Sequence, residues 1–419
     1  MRTVTVVTDA FLELGKEVAA ALGSPGAAVS VVAHPLGGLK AAEVRSRARK
    51  AYADIVGKLV APKPAAEPLV RSATPRVLEL SGSWPEVNEY FYRQGWTDGL
   101  PVVPPRRDAV DAFLGAVPVA AQTLVGIVPP RMGLATVEKI AVNAVMAGCE
   151  PRHFAVVLAA VRAVCSPEFN LLPMQATTNP VTPLIIVNGP LARELELNSG
   201  YNVLGQGWRS NATIGRALRF VLNNIGGGTP GKGDKAAHGQ PGKFTFCIAE
   251  SEAESPWEPF HVERGFAATD STVSVIGVTG TQDIIHYART SARKVVDTIV
   301  HAVPREGYKN LYSGGEPLFV LGPEQAAILG RERITKKKLK KLIYDGTKIP
   351  LRLLQPETID LIRGRRARLF AGRRRVTEIP IADRAQDIQL IVAGGAGNHT
   401  VFLPTWGDTR CVTVKIGEP

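Results

Sequence analysis

Three short apolar runs in this chain each stop at glycine: Leu184-Ile185-Ile186-Val187-Asn188-Gly189-Pro190, Leu318-Phe319-Val320-Leu321-Gly322-Pro323 and Leu390-Ile391-Val392-Ala393-Gly394-Gly395. They have strand length, and their lack of polar alternation implies burial on both faces. In the first two, proline falls where a following helix would begin. The pattern predicts strands of an α/β sheet with loops at their carboxyl ends, where such sheets hold ligands. The likeness of the runs is compatible with an internal repeat. A mixed α/β body is expected over residues 77–419, in two lobes near 77–310 and 311–419.

The first sixty residues form a smaller unit. Residues 3–8 (TVTVVT) are a β-branched run, and Phe11 to Leu22 places apolar residues at helical spacing. A second strand, Ala28 to Ala33, ends in His34-Pro35-Leu36-Gly37-Gly38. Val44, Ala48, Ala51, Ile55 and Leu59 then share one helical face. Two strands and two helices make an α/β half-domain over 1–60, too small for a complete sheet. Residues 61–76 are proline-rich and have linker composition.

After the linker, Trp84 to Gln94 reads as a short helix entering the turn-rich Thr97-Asp98-Gly99-Leu100-Pro101 loop. Val137, Ile140, Ala141, Ala144 and Val145 make one face of a helix that ends at Gly148, and a second helix runs over Phe154–Val164, with Cys149 in the corner between them.

Charge is concentrated late in the chain. Of 50 Lys plus Arg and 38 Asp plus Glu, sixteen basic and four acidic residues lie between Arg331 and Arg375, so the net +12 sits in that segment. Thr335 to Ile343 reads as a capped amphipathic helix with Leu339, Leu342 and Ile343 inward. A solvated cationic face, a docking face for an acidic partner subunit and steering of an anionic substrate all remain open for it. Nucleic acid ranks below them, because no recognition motif or aromatic platform accompanies the charge.

Cys149, Cys165, Cys247 and Cys411 are scattered without a CxxC pair, which argues against a secreted disulfide framework. The first residues lack the pattern of a signal peptide, and no apolar run approaches the roughly 20 residues of a membrane helix. The expectation is a cytoplasmic protein without membrane association.

Residues 6–59, from Val6-Val7-Thr8-Asp9-Ala10-Phe11 through His34-Pro35-Leu36-Gly37-Gly38 and the following amphipathic helix, resemble the carboxyl half of the UGSC-type domain. That family is named for a selenocysteine-or-cysteine–Gly–Ser–Cys motif. The remainder resembles the larger domain of uncharacterised proteins of that group, through TDGLPVVPP at 97–105, AVNAVMAGC at 141–149 and NATIGRALR at 211–219. The redox motif belongs to the amino half of the UGSC domain, and residues 1–148 contain no cysteine, so that chemistry transfers to no residue here. The resemblance implies either a relic half-domain folded onto the body or, the favoured reading, a small partner subunit that supplies the amino half.

Polar residues are densest between Thr177 and Gly265. Asn179, Asn198 and Asn211 offer amides for a small polar substrate, with Asn211 as N-cap of a helix carrying Arg216. His238, Cys247, Glu250, Glu258, His261 and Glu263 supply the types needed for acid–base work or a metal. His261, Cys247, Cys149 and Glu263 are the candidate catalytic residues. Asn179, Asn198, Asn211, Arg216 and His399 are the candidate substrate contacts, with a pocket built from 177–265 and the 394–399 loop. His238, His261 and Glu258 are the candidates for a divalent metal, although no ligand spacing identifies one.

The expected function is an enzyme subunit acting on a small polar or anionic organic substrate. Oxidoreductase-type chemistry is favoured through the family association. A lyase or hydratase using the 238–263 region and a non-catalytic nucleic-acid-binding protein are the alternatives.

Overall fold

The computed structural model describes residues 3–61, 77–288, 290–303, 306–372 and 376–418. Most of the proline-rich segment and Arg373–Arg375 of the basic segment lie outside them. Strands β1 (Thr5–Thr8) and β2 (Val29–Val32) pair in parallel, and the helices Leu12–Ala21 and Ala41–Val60 follow them in turn. This is the expected small α/β unit. Its own core is thin: Leu14, Val32 and Ala51 are buried, whereas Val6, Leu22, Val31, Val44 and Val56 are exposed.

The body begins with the helix Trp84–Arg93 and a hairpin of β3 (Leu124–Val128) and β4 (Gly133–Thr136). The later strands, in chain order, are β5 (Thr182–Asn188), β6 (Cys247–Ala249), β7 (Thr272–Val278), β8 (Gln282–Ile285), β9 (Leu318–Leu321), β10 (Ile349–Pro350), β11 (Glu378–Ile379), β12 (Gln389–Val392), β13 (His399–Leu403) and β14 (Val412–Lys415). Two four-stranded sheets result, ordered β14-β7-β5-β6 and β12-β9-β13-β8.

These sheets repeat one topology. A central strand (β5 or β9) has a parallel neighbour on one side (β6 or β12) and an antiparallel one on the other (β7 or β13). Their edge strands are exchanged: β8, which follows β7, pairs with β13, and β14, which follows β13, pairs with β7. The two crossings meet where Val278 bridges Thr405 and Trp406 N–H donates to the Gly277 carbonyl. The expected division near residue 310 is therefore corrected, since each sheet takes a strand from both sides of it.

Alternate residues explain the layering. Leu184 and Ile186 of β5 and Leu318 and Val320 of β9 share a core between the two sheets. Ile185 and Val187 face a helical layer that includes Val137–Ala147, Phe154–Cys165 and Arg209–Phe220. Phe319 and Leu321 face a second helical layer with Ala292–Ala302, Pro323–Arg331 and Lys336–Gly346. Each sheet is covered on both faces, which is why its central strand reads as an unbroken apolar run.

Face matching aligns Ile186 with Val320, Ile248 with Ile391 and Ser274 with Val401. The hydrogen bond from Glu250 N–H to the Val187 carbonyl then has its counterpart from Ala393 N–H to Leu321. Asn188 corresponds to Gly322, and Glu250 to Ala393. The third glycine-stopped run is β12, which occupies the place of β6, so the repeat has two members.

Candidate functional site

The carboxyl ends of β5, β6 and β12 converge at the mouth of the inter-sheet layer. Ser251 N–H donates to Val392, and Gly394 N–H to Ser199. Asn188, one step beyond Leu184 and Ile186 on the same face, brings a side-chain amide to this corner. Its Nδ2 donates to Glu250 Oε2 at 2.6 Å and to Glu252 Oε1 at 2.9 Å. Gly189 N–H also donates to Glu252 Oε1, at 2.7 Å. Gly189 has φ +89°, and a Cβ there would lie 2.2 Å from the Asp270 carbonyl oxygen, so glycine is required for this approach.

The short helix Phe260–Glu263 closes the corner. Phe260 fills the inter-sheet core and its N–H donates to Glu250 Oε2 at 2.7 Å. The adjacent His261 has no solvent exposure, and its Nδ1 lies 3.8 Å from Glu252 Oε1. Neither ring nitrogen has a hydrogen-bond partner among the described residues, nor do Glu250 Oε1, Asn188 Oδ1 and Thr272 Oγ1. Thr272 is the β7 residue opposite Asn188. Buried polar atoms left without partners are costly to fold around, so several in one corner need a reason beyond packing.

Electrostatics divide the acids of the corner. Burial pushes the Glu250 carboxyl above the ordinary carboxylate range, against the pull of Lys336. Burial also acts on Glu263, but Lys336 and Lys340 together outweigh it and hold that carboxyl below its usual value. Lys336 Nζ is 3.0 Å from Glu263 Oε2, and Lys340 Nζ pairs with Oε1 of the same carboxylate. Both lysines come from the basic helix Lys336–Gly346, which starts as expected at its Thr335 cap. They are interior cations, as is Arg366, which pairs with Asp383. The segment read as a solvated or docking face therefore directs three of its charges inward.

The other predicted residues form a separate group or stand apart. Asn211 is not the N-cap: the helix begins at Arg209 after Trp208. Its side chain replaces a strand partner instead, accepting from Asn198 N–H and donating to the carbonyls of Asn198 and Cys247. Asn198 in turn holds the turn to Gly200 and Tyr201. Arg216 makes a paired contact with Asp98 at 2.7 and 2.8 Å and also donates to the Pro101 carbonyl. That arrangement anchors the Thr97–Pro101 loop.

Cys149 is half-buried and its thiol is pushed up to about 12 by burial. Burial raises Cys247 as well, with a smaller contribution from Cys149. Asn179 bonds locally to Thr177. His399 lies in an exposed pair with Asp283, its Nδ1 3.0 Å from Oδ1. His238 and Glu258 are exposed. Among the described residues no group of three or more His, Cys, Asp or Glu side chains is arranged to hold a metal ion.

Glu252 and Thr272 were not selected from the sequence, and Asn188 belonged to the polar 177–265 stretch without being chosen as a substrate contact. The signal for Asn188 was available as parity: it continues the inter-sheet positions 184 and 186 with a polar side chain.

A second buried histidine is locked into structure. Glu150 N–H donates to His153 Nδ1, which places the ring proton on Nε2, 3.1 Å from Ser210 Oγ. The Ser210 hydroxyl donates to the Leu195 carbonyl at 2.6 Å. The ring has no free nitrogen to accept the hydroxyl proton, so this is not a nucleophile and base pair. Burial lowers the His153 pKa, with Arg152 and Arg209 adding to the effect and Glu150 opposing it. A histidine held neutral in the fold contributes stability that is complete above its unfolded value of about 6.5 and falls as pH drops below it. The melting temperature of the wild type should fall between roughly pH 7.5 and 5.5 more steeply than that of His153→Gln. Parallel slopes would exclude His153 as the cause.

The UGSC family model matches residues 1–61. No curated protein matches the chain. Among the described residues, no single helix is long and apolar enough to cross a membrane.

Proposed function

We propose that this chain is a cytoplasmic enzyme subunit acting on a small polar organic substrate by acid–base chemistry, with His261 as the proton-transferring residue. The observation that carries the reading is a fully buried imidazole, beside Glu252, with neither nitrogen partnered among the described residues. A structural histidine normally fixes its ring through at least one nitrogen, as His153 does. Here the ring is left able to give or take a proton, at the carboxyl ends of sheet strands.

A lyase or hydratase is the class this supports best. Thiol-based oxidoreductase chemistry has less support, because burial pushes the thiols of both Cys149 and Cys247 up, away from the thiolate form. An anionic substrate is also less favoured, since Lys336 and Lys340 are committed to Glu263.

The partner subunit remains part of the proposal. Val6 and Val31 are exposed on a two-stranded parallel sheet, an arrangement that needs cover on its faces. A small subunit carrying the complementary half of the UGSC domain would provide it.

His261→Gln should reduce turnover about 10²- to 10⁴-fold, the usual share of a general acid–base group. Turnover is read as depletion of metabolites from a cell extract, followed by mass spectrometry, which needs no named substrate. Equal depletion by wild type and variant would end the assignment.

A further inference from the structure

We propose that Glu250 is a second acid–base residue of this site, acting opposite His261, and that Asn188 positions it. The proposal rests on the acid–base reading of His261, but separate observations carry it.

Glu250 is 5% exposed. Its Oε2 accepts from Asn188 Nδ2 and from Phe260 N–H, while Oε1 has no partner among the described residues. With Oε2 occupied by two donors, a proton on this carboxyl belongs on Oε1, the oxygen left free to act. The charged groups that act on it are Lys336 from the basic helix and Glu252 from the turn after β6; His261 of the short helix lies beside Glu252, and Glu263 of the same helix pairs with Lys336. Burial favours the proton, Glu252 adds to that preference, and Lys336 opposes it.

The repeat provides an internal comparison. At the face-matched positions the second sheet has Gly322 and Ala393, and it closes the same strand ends with the same backbone hydrogen bonds. The topology itself therefore requires neither an amide nor a carboxyl there. Asn188 and Glu250 are present in one member of the repeat and not in the other, and their atoms without partners among the described residues lie in the corner that holds His261.

The pair supports one balanced step. His261 takes a proton from a C–H bond, whose electrons form a carbon–carbon double bond. The neighbouring C–O bond breaks, and the hydroxyl leaves as water with the proton from Glu250 Oε1. Exchange with water then returns the His261 proton to Glu250. The reverse is hydration, and neither direction needs a further reactant. The substrate class is a small hydroxylated compound with an acidic C–H next to the carbinol carbon.

Infrared difference spectroscopy of wild type minus Glu250→Gln, with ¹³C-labelled glutamate, tests this without a substrate. At roughly pH 7 a protonated-carboxyl band should be present in the wild type and absent in the variant. A difference spectrum containing only carboxylate bands overturns the proposal. The variant should melt within about 5 °C of wild type, and a fall of more than about 10 °C overturns it by making Glu250 structural. Turnover that survives His261→Gln while the Glu250 band is present would sink the His261 reading instead, so the two failures are distinguishable.

Discussion

Replacing Glu263 by Ala is expected to destabilise the body by about 3 kcal/mol or more, with a loss of roughly 6–12 °C in melting temperature. The reason lies in what the substitution leaves behind. Lys336 and Lys340 are both buried, and Glu263 is the carboxylate that neutralises them. Removing it strands two like charges one helical turn apart in a region of low polarity. Desolvation already lowers the Lys340 pKa against the pull of Glu263, so this lysine would shed its proton more readily in the variant. Glu263→Gln should lose less, because its amide oxygen still accepts from one ammonium. Adding Lys336→Met and Lys340→Met to Glu263→Ala should recover most of the loss, since a buried ion network replaced by apolar side chains is often neutral.

The pH dependence has a definite sign. Glu263 titrates below its ordinary value in the fold, so its stabilisation is present above the unfolded carboxyl range and disappears as pH falls through the folded value. Denaturant titrations of wild type and Glu263→Ala near neutral pH and near pH 4 give the comparison, and the gap between them should narrow in acid. A variant as stable as wild type at neutral pH would show that the lysines find other partners. These contacts also change the standing of Glu263, a candidate catalytic residue on sequence, to that of an ion-pair residue beside the site.

What the sequence disclosed follows the reach of each signal. Local signals were reliable: Thr335 caps its helix through Lys338 N–H, Gly148 ends Val137–Ala147 with a left-handed φ, and the glycine-stopped runs are strands. His261 was singled out, and the structure buries it with neither nitrogen partnered among the described residues. The basic helix misled at two positions because patterning assigns every lysine to solvent, whereas Lys336 and Lys340 have Glu263 waiting inside. Asn211 misled because a good cap residue in a plausible place is equally good at replacing a strand partner. The exchange of β8 and β14 had no local signature at all. Gln282–Ile285 and Val412–Lys415 are four-residue edge strands, and nothing within such a segment states which sheet it joins.

That exchange makes the carboxyl-terminal strand a structural element out of proportion to its length. Deleting residues 410–419 should leave the chain insoluble or lower its melting temperature by more than about 10 °C. Val412, Val414 and Ile416 pack against the core shared by the first sheet and its helices, and burying three such side chains in part is worth about 3–5 kcal/mol in total. The ladder to β7 and the bonds from Arg264 to Thr413 and to the Cys411 carbonyl go with them. A loss of that size is comparable with the whole stability of an ordinary domain, about 5–15 kcal/mol. Worse, β7 would become an edge strand whose seven residues are all buried in the intact protein, an open template for pairing with another chain. Light scattering of the truncated chain should therefore rise with concentration. Deletion of the other exchanged strand would not be equivalent, because β8 lies mid-chain and its loss also shortens the crossing. A truncated protein that stays monomeric and melts with the full chain would mean that β14 only lies against the sheet, and that the two members of the repeat are stable without the exchange.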